Sequence, residues 1–307
     1  MVLDADGDGW LDLYVANDQV PNKLWMNRGD GTFVDEALLA GAGVNEEGLP
    51  EASMGLVAAD LDEDGDEDLF MTHLTRETNT YYRNDGTGLF EDGTRMTGLD
   101  LPSWTATGFG VGLADFDRDG NLDLFVANGA VKRIEELVDD GDPYPLAQAN
   151  QLYRGLGAGR WEEVTTSAGP GLEQVLVSRG VARGDLDLDG DDDLVVSNNS
   201  GPAQLLLDES PSGSHWLAVL AQASPAGGPA FGSTLLLEGD SHRSLRRVGT
   251  DGSYASAGSP ESLLGLGSAA SPVTLRADWL RGGTTVWRDL PIDRRWVLVR
   301  SRQGTTP

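Results

Sequence analysis

Residues 4 to 12 read DADGDGWLD, and the same spacing of acids recurs as DLDEDGDED at 60–68, DFDRDGNLD at 115–123 and DLDLDGDDD at 185–193. All four fit D-x-D-x-D-G-x-x-D. Ionised carboxylates held this close repel one another. At about 4 Å and an effective dielectric of roughly 20, each pair costs on the order of 4 kcal/mol. A fold that gathers them needs a cation, or must splay them into water. Hard divalent cations take oxygen ligands, and Ca²⁺ accepts loose geometry with six to eight of them. In a tight loop, side chains at positions 1, 3 and 5 converge on one point. Glycine at position 6 permits the turn, the carbonyl of position 7 faces inward, and position 9 closes the shell. The first candidate site is then Asp4, Asp6, Asp8, the Trp10 carbonyl and Asp12. The second is Asp60, Asp62, Asp64, the Asp66 carbonyl and Asp68. The third is Asp115, Asp117, Asp119, the Asn121 carbonyl and Asp123. The fourth is Asp185, Asp187, Asp189, the Asp191 carbonyl and Asp193.

The varied residue types at position 7 suit a ligand supplied by the backbone. Mg²⁺ prefers strict octahedral geometry with retained waters, and zinc is poorly served by an all-oxygen shell. An EF-hand would need Glu at position 12 and flanking helices. Position 12 here is Val15, Met71, Val126 or Val196, each inside an apolar run. The expectation is about four Ca²⁺ per chain, acting as structural staples. The bland alternative is a set of solvated Asp/Gly turns.

The flanks of the loops repeat as well. Each loop runs into an apolar stretch, LDLYVAN, EDLFMTH, LDLFVAN or DDLVVSN, and three are preceded by glycine-rich SMGLVAAD, GFGVGLAD and SRGVARGD. Short apolar runs bounded by Gly and Asp read as strands. Further pairs of strands are expected in NKLWMNRGDGTFVDE, NTYYRNDGTGLFEDG and NQLYRGLGAGRWEEV, turning at GDG, DGTG and GAG. Each unit is thus about four short strands in some 55 residues, the size of a propeller blade. The longer third interval holds VKRIEELV at 131–138, where Val131, Ile134 and Leu137 or Val138 fall at helical spacing, before Pro143 and Pro145 end the pattern. The expected fold is all-β: residues 1–208 a partial, about four-blade β-propeller with calcium loops, 208–214 (DESPSGS) a linker, and 214–303 a small β domain.

The formal net charge of −28 argues against nucleic acid, whose phosphates demand a basic surface, and disfavours anionic membranes. The charge is uneven. Residues 240–307 carry ten arginines against six acids, a net of +4, so the first 239 residues carry −32. Lys23 and Lys132 are the only lysines. With no cysteine there are no disulfides, thiolate metal sites or cysteine nucleophiles. No apolar run approaches the length of a membrane span, and Met1 is followed at once by VLDADGDG, which does not read as a signal peptide.

GFGVGLADFDRDGNLDLFVANG (108–129) resembles an FG-GAP/VCBS propeller repeat of the integrin-like kind. NQLYRGLGAGRWEEVTTSAG, SRGVARGDLDLDGDDDLVVSNNSGPAQLLLDE and SHWLAVLAQ, in that order, are similar to the ASPIC/UnbV family. FGSTLLLEG, RRVGTDGSYAS, LLGLG and DWLRGGTTVWRDL resemble its C-terminal domain. The resemblance spans essentially the whole chain. It implies an extracellular, periplasmic or cell-surface protein. Family members are longer, with more blades, about seven in all. This chain opens inside a metal loop with no strand expected before it. The sequence thus reads as a fragment of a longer propeller, or as an array that closes by self-association.

The leading functional expectation is a calcium-binding, non-catalytic interaction or adhesion module with a protein or glycan partner on the propeller face. Two alternatives are a lectin-like carbohydrate-binding propeller and an accessory protein or enzyme of a biosynthetic pathway, the latter because some family members lie in enediyne clusters. No catalytic residues are assigned: His73, His215 and His242 sit in no catalytic spacing, and the clustered aspartates are claimed by the loops. Trp25, Tyr82 and Tyr153 recur at one position of the repeat and read as core. His215-Trp216 also reads as packing. Trp104, in a turn-like stretch outside that register, could stack on a sugar. The RSLRR segment at 243–247 reads as a solvated strand face, with docking on the acidic loops or on an anionic glycan as alternatives.

Overall fold

A computed structural model describes residues 1–141, 145–209, 213–238, 243–269 and 272–300. Pro143, Asp240, His242, the middle of the 208–214 linker and positions 301–303 lie outside the described residues.

The chain is all-β. Four sheets follow one another, each a meander, with one strand, Gln148–Ala149, intervening between the second and third strands of sheet III and pairing instead with Val175–Leu176. Sheet I is Val2–Leu3, Asp12–Val15, Lys23–Asn27 and Phe33–Asp35. Sheet II is Leu56–Ala59, Asp68–Met71, Thr80–Asn84 and Phe90–Asp92. Sheet III is Gly108–Ala114, Asp123–Asn128, Gln151–Gly155 and Trp161–Glu163. Sheet IV has three strands, Ser178–Gly184, Asp193–Asn198 and Gln204–Leu206. Each acidic loop joins the first strand of its sheet to the second, and the aspartate at position 9 is the first residue of that second strand.

A strand does precede the first loop, contrary to the sequence expectation. Val2 and Leu3 pair with Leu13 and Asp12. Two residues suffice because the Met1 amino group donates to the Tyr14 carbonyl and the Met1 carbonyl accepts from the Tyr14 amide, extending the pairing. The helix expected over 131–138 is shorter and displaced, running from Glu135 to Asp139. Its apolar residues find no core to pack on: none of its residues is buried, and Val131 lies in the turn before it.

Alternation along the second strand assigns its side chains to the two faces of the sheet. Leu69, Met71 and Tyr82 of sheet II pack against Tyr14 and Leu24 of sheet I. Leu124, Val126, Tyr153 and Trp161 of sheet III pack against Phe70 and Tyr81 of sheet II. Leu194 and Val196 of sheet IV pack against Phe125 of sheet III. Middle sheets are therefore buried on both faces, and their strands read as unbroken apolar runs. The glycine-rich first strands let adjacent sheets approach: a Cβ on Gly55 would collide with the Phe109 carbonyl of the next sheet.

Two further sheets follow. One orders Ser262–Gly267, His215–Gln222 and Arg294–Val299, the last two parallel. The other orders Arg243–Arg247, Thr234–Glu238, Val273–Asp278 and Thr284–Leu290. They share one core around Leu217, Leu235, Leu264, Leu275 and Leu298. Between Arg247 and Ser262 the chain reaches across to the first strands of sheets II, III and IV. Ser253 exchanges backbone hydrogen bonds with Leu56, and its Oγ accepts from the amide of Val111 at 3.0 Å and that of Val181 at 3.4 Å. Among the described residues, no helix is long and apolar enough to cross a membrane.

Candidate metal centres

The four loops share one hydrogen-bonding plan. Position 1 closes the turn by accepting from the glycine amide at position 6. Asp4 takes Gly9 at 3.0 Å, Asp115 takes Gly120 at 2.9 Å and Asp185 takes Gly190 at 3.1 Å. Position 5 accepts from the amide of position 7, as Asp8 does from Trp10 at 2.7 Å and Asp119 from Asn121 at 2.8 Å. The glycine at position 6 has positive φ in every loop, between 84° and 107°. Position 4 does too, although it is Gly7 only in the first loop and Glu63, Arg118 or Leu188 in the others. Three non-glycine residues in that region mark a backbone held by its surroundings.

This geometry brings carboxylates together. Oxygens of Asp4, Asp6 and Asp8 lie within 4.8 Å of one another, as do those of Asp60, Asp62 and Asp64, of Asp115, Asp117 and Asp123, and of Asp185, Asp187 and Asp193. Positions 1 and 3 are common to all four clusters. Position 5 joins them in the first two loops and position 9 in the last two. The side chains of Asp119 and Asp189 stand outside their clusters, as do those of Asp12 and Asp68.

Position 9 has a second duty that sequence reasoning missed. One of its oxygens accepts from the amide of position 2, and the other accepts from the third strand or, in sheet IV, from two residues beyond it. Asp12 takes Ala5 at 2.9 Å and Asn27 at 2.7 Å. Asp68 takes Leu61 and Asn84, with the Tyr81 hydroxyl as a further donor. Asp123 takes Phe116 and Gly155, and Asp193 takes Leu186 and Asp208. A single carboxylate thus pins loop, second strand and following strand in each sheet. The available signal was that this aspartate opens the strand itself.

Several loop carboxylates are pushed upward in pKa. Burial is the leading cause throughout, with amide hydrogen bonds pulling against it and neighbouring carboxylates adding to it. Asp4 and Asp12 rise to about 6, Asp115 to about 7 and Asp68 to about 8. Asp62 rises to about 6, with Asp64 the first charge acting on it. At position 7, Asp66 rises to about 7 and Asp191 to about 8. Asp60, Asp117, Asp123 and Asp187 are also raised, again first by burial. Asp60 and Asp115 are buried, and each keeps one oxygen, Oδ1, without a hydrogen-bond partner; Asp66 and Asp191 at position 7 do likewise. Buried polar atoms are normally satisfied. An all-oxygen set with orphaned, desolvated carboxylate oxygens fits a hard divalent cation.

The arginine-rich C-terminal sheets lie over these loops. Arg246, partly buried, stands beside Asp115 and Asp60, whose charges oppose the effect of its burial. Arg247 pairs with the buried Glu67 at 2.9 Å and with Asp251 at 3.2 Å. Arg295 pairs with Asp185 at 2.8 Å and Glu261 at 2.6 Å. The guanidinium of Arg281 stacks on Trp10, 4.0 Å from the ring centre. The expectation of a solvated face at 243–247 is therefore corrected for Arg246 and Arg247. The two side chains leave opposite faces of the strand, and each meets acids there: Arg246 meets Asp115 and Asp60, and Arg247 meets Glu67 and Asp251. Trp216 packs against Gly190 of the fourth loop, and His215 contacts Asp293 at 2.7 Å.

Of the three recurring aromatics, Tyr82 and Tyr153 are core, but Trp25 is half exposed. Among the described residues, no other sheet packs on its face of sheet I. Trp104 is exposed beyond the short helix Asp100–Ser103. Ser53 Oγ lies 3.0 Å from His73 Nε2, a spacing that invites a catalytic reading. Both residues are buried, the other ring nitrogen faces the Thr78 carbonyl, and burial lowers His73 to about 4. The pair is a neutral pin inside sheet II.

An all-β array of repeated sheets, each with an acidic loop between its first two strands, defines the class. The chain carries FG-GAP-like repeats, matched over residues 4–71 and 60–126, followed by an ASPIC and UnbV domain matched over 224–305. Human cartilage acidic protein 1 is 31% identical over 199 residues, covering 64% of this chain and 27% of the relative. Its Xenopus tropicalis counterpart is 26% identical over 282 residues, covering 88% of this chain and 40% of the relative. The chain thus spans well under half the length of these curated relatives. Among solved structures, a lectin of Agrocybe aegerita that recognises non-reducing terminal N-acetylglucosamine aligns with 94% of this chain and 84% of its own, at 12% identity and a TM-score of 0.33. That likeness is too loose to bear on fold or ligand.

Proposed function

We propose that this chain is a calcium-stabilised, non-catalytic interaction module of extracellular or cell-envelope type, built as part of a β-propeller. Each of the four loops holds one Ca²⁺. The side chains at positions 1, 3, 5 and 9 and the carbonyl at position 7 supply the ligands: Asp4, Asp6, Asp8, Trp10 and Asp12 in the first loop, and their equivalents in the others. The ion neutralises carboxylates that otherwise repel one another inside the fold. It fixes the loops that join the first two strands of every sheet and on which the C-terminal sheets rest. Partner binding then falls to exposed loop faces, which a rigid scaffold presents.

The observation that carries this reading is the orphaned Oδ1 of Asp60 and of Asp115. Both belong to buried aspartates whose other oxygens are engaged in closing their loops. The test is thermal unfolding in EGTA and across a Ca²⁺ titration, with bound metal counted by elemental analysis. A large calcium-dependent rise in melting temperature with close to four ions per chain supports the reading. Bound calcium well below one ion per chain, with no thermal shift, overturns it.

A further inference from the structure

Residues 246–263 cross the first strands of sheets II, III and IV, and a half-enclosed cavity of about 100 Å³ lies between the two layers. Val111 of sheet III, Val181 of sheet IV and Leu263 give it apolar walls. Three arginines, Arg183, Arg246 and Arg247, line it as well.

Two of these arginines are matched by acids. Arg183 lies 3.3 Å from both carboxylate oxygens of Asp192, and Arg247 holds Glu67 and Asp251. Arg246 is the surplus cation. Its one hydrogen bond runs to the carbonyl of its neighbour Leu245, at 2.9 Å, and among the described residues no carboxylate stands within ion-pair distance of it. Asp115 and Asp60 act on it from farther away, and Arg183 adds a like charge. A guanidinium withdrawn from water needs acceptors in place of the water it has lost. Its planar fork of N–H donors matches a carboxylate through two parallel hydrogen bonds. Thr250 and Ser262 line the same cavity and bring hydroxyls for a ligand's other polar atoms. A few convergent polar groups beside apolar walls are the usual make-up of a small-molecule site. The volume suits a molecule of several heavy atoms, and the apolar walls favour an organic anion over a fully hydrated inorganic one.

We propose that this cavity binds a small organic carboxylate, held by Arg246 between the first strands of the array and the C-terminal segment that crosses them. Arg246 supplies the charge and the paired donors, and Thr250 and Ser262 orient the remainder of the ligand. A molecule seated there touches both layers, so its binding stabilises the folded chain. No loop ligand lines the cavity, so the proposal stands apart from the calcium reading.

The test is calorimetric titration of the 307-residue chain with acetate and with succinate, in calcium buffer at constant ionic strength, with sodium sulfate as the inorganic comparison. Saturable one-to-one binding of at least one carboxylate is expected, together with a rise in melting temperature. Arg246→Met removes the fork and is expected to weaken that binding roughly tenfold or more. Arg246→Lys keeps the charge without the fork and should fall between the two. It carries the test alone where the methionine variant does not melt cooperatively. Arg243→Met, on the same strand but outside the cavity, should bind as the wild type does. Bound calcium, counted in each protein, separates a loss of this ligand from a loss of loop metal. A wild type that binds neither carboxylate overturns the proposal. So does binding that Arg246→Met and Arg246→Lys leave unchanged, or a site that takes sulfate but no carboxylate.

Discussion

Arg247 Nε lies 2.9 Å from Glu67 Oε1, joining residues 180 positions apart where both side chains are buried. The same arginine holds Asp251, and the second oxygen of Glu67 accepts the amide of Asp4 at the start of the first loop. This contact ties the C-terminal sheets to the loops of sheets I and II together. Burial pushes the Glu67 carboxyl upward in pKa, and the guanidinium pulls against it.

Removing only the arginine strands a buried carboxylate. Arg247→Met is expected to cost about 3 kcal/mol, the usual penalty for breaking one side of a buried pair. Replacing both residues, as Arg247→Met with Glu67→Met, should recover part of that loss, because the buried carboxylate goes with its arginine while Asp251 and the Asp4 amide still lose a partner. Denaturant unfolding of the two variants in calcium buffer measures the difference. A single variant within experimental error of the wild type would show that the pair contributes little.

The loop aspartates divide into two kinds, and amide substitution separates them. Asp123 accepts backbone amides on both oxygens, so Asp123→Asn turns an NH₂ group toward an N–H donor. A loss of about 2 kcal/mol is expected in EGTA, and a larger one in calcium, where the substitution also weakens a ligand. Asp62 accepts one amide, that of Asp64, and lies under the repulsion of its neighbours. Asp62→Asn keeps that acceptor and removes a charge. It should stabilise the protein in EGTA and destabilise it in calcium. Melting temperatures of both variants in both buffers decide the matter, and the same sign for Asp62→Asn in the two buffers counts against its role as a ligand.

A pH dependence follows from the raised carboxylates. In the metal-free protein Asp4 and Asp12 titrate near about 6, Asp66 and Asp115 near about 7, and Asp68 and Asp191 near about 8, whereas in the unfolded chain they titrate near 3.8. Between these limits the folded state binds more protons than the unfolded state, so stability falls as pH rises. In EGTA the melting temperature should therefore drop from about pH 5 to about pH 8. Calcium requires ionised ligands, so its stabilising effect should grow over the same window. A flat profile in EGTA would mean that the loops relax and separate their charges when metal is absent.

The loops and their strands were legible because their signals are local. Asp and Gly at fixed spacing set the turn, and the short apolar run past Asp68 or Asp123 sets the strand. What was missed depends on neighbours that no local pattern names. Trp25 and Tyr82 occupy the same place in the repeat, yet among the described residues only Tyr82 has another sheet packed against it. Arg246 and Arg247 look like any charged strand until the acidic loops are set against them. The strand at Val2–Leu3 is too short to show periodicity, and it forms because Asp12 and Leu13 supply its partner. The double duty of Asp12, Asp68, Asp123 and Asp193 was hidden for the opposite reason. A carboxylate that ligates and one that accepts amides look alike in sequence.

The contact at Ser253 yields a last prediction, on how the C-terminal segment holds the array together. Its backbone pairs with Leu56 of sheet II, while its hydroxyl oxygen accepts from Val111 of sheet III and, at longer range, Val181 of sheet IV. It sits at a positive φ of 66°, a conformation that a serine adopts only when such partners hold it. Ser253→Ala keeps the backbone pairing and deletes the acceptor, leaving the Val111 amide unpaired between sheets. A loss of about 1–2 kcal/mol is expected. Ser256 provides the comparison. It lies three residues on, with a hydroxyl that bonds within its own segment to the Tyr254 carbonyl, so Ser256→Ala should stay within about 0.5 kcal/mol of the wild type. Equal losses from the two variants, read by denaturant unfolding, would mean that the segment merely covers the first strands. A loss confined to Ser253→Ala would identify one hydroxyl as the point where three sheets are pinned.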